Sequence, residues 1–178
     1  CHTDDEGVKF MTEAFQSRCE FFIENKNKLK KVTKETSTYI YPASANVLAS
    51  KNVAEDKEQL DACKKLMKEK FGAFSHFRRN AMLPFLCMLS LEADPEDKID
   101  RAILMYDKLK AEFPCSEYLA LIAMVLTDMV SVSEAETYIR RGREIYKLMK
   151  KEHPMLTGAE DSVFAVLLAF SPKSDEQL

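Results

Sequence analysis

The fold is decided by the stretch KLMKKEHPMLTGAEDSVFAVLLAF, residues 147–170. It passes from a charged amphipathic segment through a short turn into a wholly apolar segment at 163–170. The same succession occurs at residues 107–130 and again at 65–91. Two-helix units that recur about every 40 residues are typical of helical repeat proteins. The sequence therefore predicts a series of helical hairpins.

The composition fits an ordinary globular protein. The chain has 178 residues, of which 46% are hydrophobic and 31% charged, and this length suits one domain. We predict an all-α fold of about eight helices in four hairpins, forming an α-solenoid-like superhelix or a compact bundle. This single domain would span residues 1–178. Because the chain begins with Cys1 rather than Met, we expect it to be a fragment of a longer protein.

Apolar spacing gives the approximate helix positions. The first predicted helix ends near Leu29, and the next three occupy roughly 37–50, 53–71 and 75–91. Pro42 and Pro84 lie at the same place in two successive segments, which indicates a diverged first copy of the hairpin. In each hairpin the first helix is apolar on one side and the second nearly all round, so the second helices should form the inner layer.

Helix ends and irregularities are also readable. Residues 52–55 and 157–160 have the pattern of a capping box, in which two side chains satisfy free N–H groups at a helix start. Asp94 followed by proline predicts a third start, and Ser131 or Ser133 is the predicted start of the helix after that hairpin. Pro84 should kink or break its helix. Gly142 lies on a buried stripe, which indicates close helix approach.

The turn from His153 to Asp161, followed by an apolar helix, resembles a bacterial family of uncharacterised all-helical proteins, a domain of unknown function. Residues 72–75, Gly-Ala-Phe-Ser, open an earlier helix in a similar way. The likeness extends from about Asn52 onward. Asp161 matches the second acidic residue expected in the last turn, whereas Glu160 stands where another Asp is expected. The resemblance implies a helical fold and a longer protein, and it implies no activity.

Two groups of polar residues are candidate sites. The first combines Ser75, His76, Arg78 and Arg79 at a predicted helix start, where anions are attracted and arginine can bind phosphate or carboxylate. The alternative is that Ser75 caps the helix and the others are solvated.

The second group is the turn motif of His153, Thr157, Glu160 and Asp161. Helix capping accounts for two of these residues without any site. Their spacing matches no known metal-ligand pattern, so we predict no metal site.

Several functions find little support. The net charge of −3 argues against nucleic-acid binding, so the basic residues at 26–34 and at 140–143 are read as solvated helix faces. No apolar run is long enough to span a membrane. Five cysteines without CxxC spacing favour a reducing cytoplasm. Cys63, Cys87 and Cys115 are predicted at apolar helical positions, where thiols usually act as small hydrophobes. No catalytic residues and no cofactor are predicted, since the chain has neither a glycine-rich phosphate loop nor a nucleophile elbow.

The predicted architecture favours a cytoplasmic, non-enzymatic scaffold that binds a protein or peptide along a rim formed by the starts of the second helices, near Ser37, Ser75, Ser116 and Thr157. The alternative is a small-molecule or anion-binding domain, with or without catalysis, that uses residues 75–80. A third hypothesis is that a second copy of the chain or another segment covers the apolar residues 163–170.

Overall fold

The computed structural model describes the backbone of residues 3–33 and 38–174 and the side chains from residue 12 onward. Within these ranges the secondary structure is helical, which confirms the all-α prediction. The α-helices are α1 (Thr3–Val32), α2 (Ile40–Ala49), α3 (Lys57–Lys70), α4 (Met82–Leu89), α5 (Pro95–Glu112), α6 (Glu117–Leu126), α7 (Ala135–Glu152) and α8 (Asp161–Leu168). A short 3-10 helix occupies His76–Arg78.

The chain divides into two compact units. The first comprises Cys1–Ala73 with Asn80–Ala93, and the second comprises Phe74–Arg79 with Asp94–Leu178. That the whole chain is one repeat domain stays a prediction.

In the first unit α2 packs on α1 and on α4, and α3 packs on α4. Leu29, Leu48, Met67 and Phe85 are almost completely buried. Each such side chain contributes about 1.5–3 kcal/mol relative to leaving it exposed. The core of this unit is therefore built from the apolar positions of all four helices.

In the second unit α5 packs on α6 and α7, and α8 packs on α6 and α7. The buried side chains of α6, which include Leu119, Ile122 and Leu126, cover a wide arc of the helix, and Leu121 and Val125 on the remaining side are half-buried. The corresponding side chains of α5, such as Ile99 and Leu109, follow one stripe. The second helix of this hairpin is thus the more completely buried one; that the second helices together form an inner layer stays a prediction.

Three hairpins are closed by a polar side chain from the first helix. The buried Asn25 amide donates to Val53 O at 2.8 Å, just beyond α2. Arg101 donates to Thr127 O at 2.8 Å, just beyond α6. Arg141 donates to Ala169 O at 2.9 Å, just beyond α8. The two arginine contacts satisfy carbonyl groups that a helix end leaves without partners, and all three contacts link the first helix of a hairpin to the segment that follows the second.

Positive charge also favours the position of Arg101 and Arg141 beside these helix ends. Lys98, only 1% exposed, forms an ion pair with Asp128 beyond the same helix end that Arg101 binds. Arg141 also donates to Ser171 O at 2.7 Å. A cation beside a helix C-terminus is favoured by the helix dipole. The reading of Arg141 as part of a solvated face is therefore wrong.

The predicted start of the third helix is wrong by a few residues. Asn52 has a φ of 53° and lies in the turn after α2, a conformation that asparagine tolerates better than most residues. The N–H of Glu55 donates to Asn25 Oδ1 at 2.6 Å instead of entering a capping box. Asp56 caps α3, since its carboxylate accepts from the N–H groups of Glu58 and Gln59.

The predicted helix over 75–91 is two separate pieces. Ser75 caps only the 3-10 helix, where its Oγ accepts from the N–H of Phe77 at 3.3 Å. α4 begins at Met82, so Pro84 lies in its first turn, where a missing N–H has no cost. The break that proline predicts is present, but it precedes Pro84. The two pieces belong to different units.

The close approach at Gly142 is confirmed. Gly142 is buried, and a Cβ placed on it would lie 2.8 Å from Val166 Cα in α8. That distance leaves no room for a side chain.

The apolar residues of α8 are covered on one side. Ala165, Val166 and Ala169 are buried, whereas Phe164 is 57% exposed. Phe170 stacks on Tyr138 with ring centroids 4.0 Å apart. Covering of residues 163–170 by another chain or segment stays a prediction.

Candidate functional site

A groove of about 420 Å³ runs between α5 and α7. We call it the α5–α7 groove. Its apolar lining comes from both helices and from the turn before α7: Leu104, Ala111, Val132 and Ile139. Leu104 is 52% exposed, whereas Ile139 is buried. The groove thus has an apolar base with one large apolar side chain open to solvent.

Charged side chains form the rim of the α5–α7 groove. Glu136 of α7 pairs with Lys108 of α5 at 3.6 Å and with Arg140 one turn along its own helix. Asp107 pairs with Lys110 at 2.6 Å. The half-buried Glu112 also lines the groove, and it has no ion pair within the described part of the chain. One carboxylate of the rim is therefore left without a counter-charge.

Local sequence explains why the groove is open. The buried stripe of α5 includes Ile99, Ala102 and Leu109. Leu104 lies off this stripe, so helix formation places it on another face. An apolar residue outside the buried stripe is the sequence signal that indicates such a groove.

The predicted anion site is only partly assembled. Phe77 is buried. Its neighbours His76 and Arg78 are half-buried, whereas Arg79 is exposed. Ser75 Oγ already accepts the N–H of Phe77. Anion binding by these residues stays a prediction.

The surroundings of His76 are aromatic. Its ring centroid lies 6.5 Å from that of Tyr106, and Phe77 contacts Tyr106 edge to face at 5.3 Å. The Tyr106 hydroxyl lies 2.9 Å from Cys115 Sγ. Burial, together with this contact, raises the pKa of Tyr106. The phenol therefore stays protonated at neutral pH and offers no general base here.

Thr157 and Asp161 of the turn motif form hydrogen bonds with backbone groups. The single hydroxyl hydrogen of Thr157 is shared between Met149 O at 3.1 Å and His153 O at 2.9 Å, so Thr157 does not cap α8. The N–H of Gly158 donates to Asp161 Oδ2 at 2.8 Å. The predicted capping box of Thr157 and Glu160 is therefore wrong, and its role falls to Asp161. A binding function of His153, Thr157, Glu160 and Asp161 stays a prediction.

Two of the lysines at 26–34 have local partners. Lys28 pairs with Glu24 at 2.7 Å, and Lys26 lies 5.7 Å from the ring centroid of Phe22. Lys34, like Ser37 of the predicted rim, lies outside the described residues. The described lysines thus fit a solvated helix face.

Cysteine positions are partly as predicted. Cys63 and Cys87 are buried in helices, and burial raises the pKa of the Cys87 thiol to about 12. Cys115 was predicted at an apolar helical position, but it is exposed in the turn after α5.

Among the described residues, no group of three or more His, Cys, Asp or Glu side chains is placed to hold a metal ion. Within the same residues no helix is both long and apolar enough to cross a bilayer.

Comparison with known proteins identifies a family and nothing finer. The model of the family described as "Protein of unknown function (DUF4003)" matches residues 22–178. No curated protein and no solved structure matches the chain. The match covers most of the sequence and agrees with the resemblance noted in the last turn. The chain therefore belongs to the DUF4003 family, whose function is unknown.

Proposed function

We propose that this chain is a protein-interaction module that binds an amphipathic helical segment of a partner in the α5–α7 groove. The observation that carries the proposal is the combination of exposed Leu104 with an apolar groove base between two helices of 18 residues each. Helices of that length extend about 27 Å, enough for a partner helix of several turns. Helix-in-groove recognition uses apolar anchors at helical spacing against such a base.

The charges of the rim suggest the partner's chemistry. Lys108 and Arg140 are already engaged by Glu136. The half-buried Glu112 favours a cation on the bound segment. We therefore propose a partner helix with an apolar stripe flanked by Lys or Arg.

The test uses fluorescently labelled helical peptides that carry a leucine stripe and lysine flanks. Binding is measured by anisotropy with the whole chain and with Leu104→Glu, which is expected to weaken binding at least about tenfold, since it places a charge at the apolar anchor. Met155→Glu is the matched control, because Met155 is exposed and lies outside the groove. A peptide in which serines replace the leucines should not bind. Failure of the leucine peptides to bind, or equal binding by both variants, would refute the proposal.

The alternative function, anion binding at residues 75–80, remains a competing hypothesis. The exposure of Arg79 and the engagement of Ser75 Oγ by the backbone support the scaffold over this alternative. Replacing Arg78 and Arg79 by alanine should leave peptide binding unchanged if the groove is the binding site.

A further inference from the structure

A second concave site lies beside the turn between α5 and α6. It has a volume of about 310 Å³ and is lined by Pro114 of that turn and by one face of α7: Arg143, Tyr146, Lys147, Lys150 and Lys151. We call it the basic pocket. Its lining contains four cationic side chains and no carboxylate.

Helical spacing creates this concentration of charge. Relative to Arg143, the lysines follow at i+4, i+7 and i+8, which are positions on one face of a helix. Arg140 and Arg141, although close in sequence, have other contacts, since Arg140 pairs with Glu136 and Arg141 donates to Ala169 O. Lys150 and Lys151 lie in the last turn of α7, where the helix dipole favours cations. The dipole does not account for Arg143, which lies more than two turns earlier.

The cations of the basic pocket differ from others on the same helices in their pairing. Arg101, Lys110 and Arg140 each pair with a carboxylate within one turn. Of the four pocket cations, only Lys147 has such a partner, Glu144 at 2.7 Å. Across the described residues, Arg143, Lys150 and Lys151 have no ion pair. Three positive charges around one concavity are thus not compensated by the protein.

Arg143 is held in place by aromatic rings. Its guanidinium carbon lies 5.8 Å from the ring centroids of both Phe113 and Tyr146. The two rings contact each other edge to face at 5.7 Å, and the Tyr146 hydroxyl donates to Gly158 O at 3.1 Å. Cation–π contact positions the guanidinium without using its N–H donors. Those donors remain able to bind an anion in bidentate fashion.

We propose that the basic pocket binds a soluble ligand that carries two or more phosphate groups. Arginine supplies a planar fork for one phosphate, and the lysine ammonium groups supply point charges for the next. A pocket of this volume is within the range of small-molecule sites. The net charge of −3 excludes a general attraction of polyanions by the whole chain, so binding has to arise from this local arrangement. This site is independent of the α5–α7 groove.

The experiment is isothermal titration of the whole chain with inorganic tripolyphosphate. Lys150→Gln should weaken binding about tenfold, because one charge-assisted contact is lost. Lys65→Gln is the matched control, since Lys65 is an exposed helical lysine of the first unit. Arg143→Gln should weaken binding further, and Arg140→Gln on the same helix should not. Binding should also decline as salt is raised, because the contacts are ionic.

Two further arms test the ligand class. Tripolyphosphate should bind more tightly than citrate, and equal or tighter binding of citrate would overturn the assignment to phosphate. Vesicles containing a phosphoinositide should bind no better than vesicles of neutral lipid. Vesicle binding without measurable binding of tripolyphosphate would overturn the soluble ligand. Equal effects of Lys150→Gln and Lys65→Gln would overturn the site.

Discussion

Replacing Gly142 by alanine tests the closest helix contact in the second unit. The new Cβ would lie 2.8 Å from Val166 Cα, 3.0 Å from Val166 Cγ2 and 3.2 Å from Val166 N. Carbon atoms in favourable contact are about 3.5–4.0 Å apart. Because two of the three atoms belong to the backbone of α8, a change of rotamer cannot relieve the clash, and α7 and α8 must separate.

The expected magnitude follows from two opposing terms. Overpacking costs about 1–3 kcal/mol, and a clash with backbone atoms belongs in the upper half of that range, about 2–3 kcal/mol. Alanine is favoured over glycine in a helix by about 1 kcal/mol, which offsets part of that cost. We therefore expect Gly142→Ala to lower the free energy of unfolding by about 1–2 kcal/mol. For a chain of this size, each kcal/mol corresponds to about 2–4 °C in Tm.

The assay is urea unfolding followed by circular dichroism, with Tm measured in parallel. Gly72→Ala is the control, since a Cβ there would meet nothing within 4 Å and its φ is not positive. It should change stability by less than about 0.5 kcal/mol. A Gly142→Ala protein as stable as the wild type would refute the close approach of α7 and α8.

Three other changes have defined outcomes. Arg141→Ala should cost about 2 kcal/mol and speed amide hydrogen exchange at the end of α8, because the guanidinium hydrogen bonds there are lost. Asp128→Asn should cost about 1–2 kcal/mol in urea unfolding, since it removes the counter-charge of buried Lys98, and the solvent exposure of Asp128 keeps the cost below that of a fully buried pair. Stability should fall as the pH rises from 9 towards 12, because the folded state retains the proton of Cys87, with its pKa of about 12, after the unfolded thiol has lost it at its ordinary pKa of 9.0; Cys87→Ala should make this fall shallower.

Each of these predictions has a matched comparison. Arg140→Ala, which breaks a surface ion pair on the same helix, should cost less than about 0.5 kcal/mol. Asp107→Asn should be similarly mild, because its partner is a surface lysine. In thiol alkylation the exposed Cys115 should react well before Cys87. Hydrogen exchange unchanged by Arg141→Ala, or rapid alkylation of Cys87 at pH 8, would contradict the contacts described.

The sequence predicted a helix start correctly where its free N–H groups bond to side chains only a few residues away. Asp94 caps α5 by accepting the N–H of Asp97 at 3.0 Å, as the Asp-Pro pair predicts. Ser131 and Glu134 exchange hydrogen bonds before α7, and Ser131 was one of two predicted starts. Such contacts span only a few residues, so sequence patterns identify them.

Local signals failed where a distant group competes for the same atoms. The N–H of Glu55 is taken by Asn25, 30 residues earlier, and α3 therefore starts at a later cap. Thr157 turns back to the end of α7 instead of capping α8. The choice between a local and a distant partner depends on which helices pack together.

The sequence by itself determined the helical class, the approximate positions of the helices, the high burial of α6 and the need for glycine at residue 142. These follow from apolar periodicity and from the lack of space that a buried glycine indicates. Only the tertiary structure decided the α5–α7 groove and the basic pocket of the second unit. The α5–α7 groove exists because α5 and α7 pack side by side and leave Leu104 outside the core. The basic pocket exists because the turn at Pro114 meets one face of α7, and residues that far apart in the chain are brought together by packing alone.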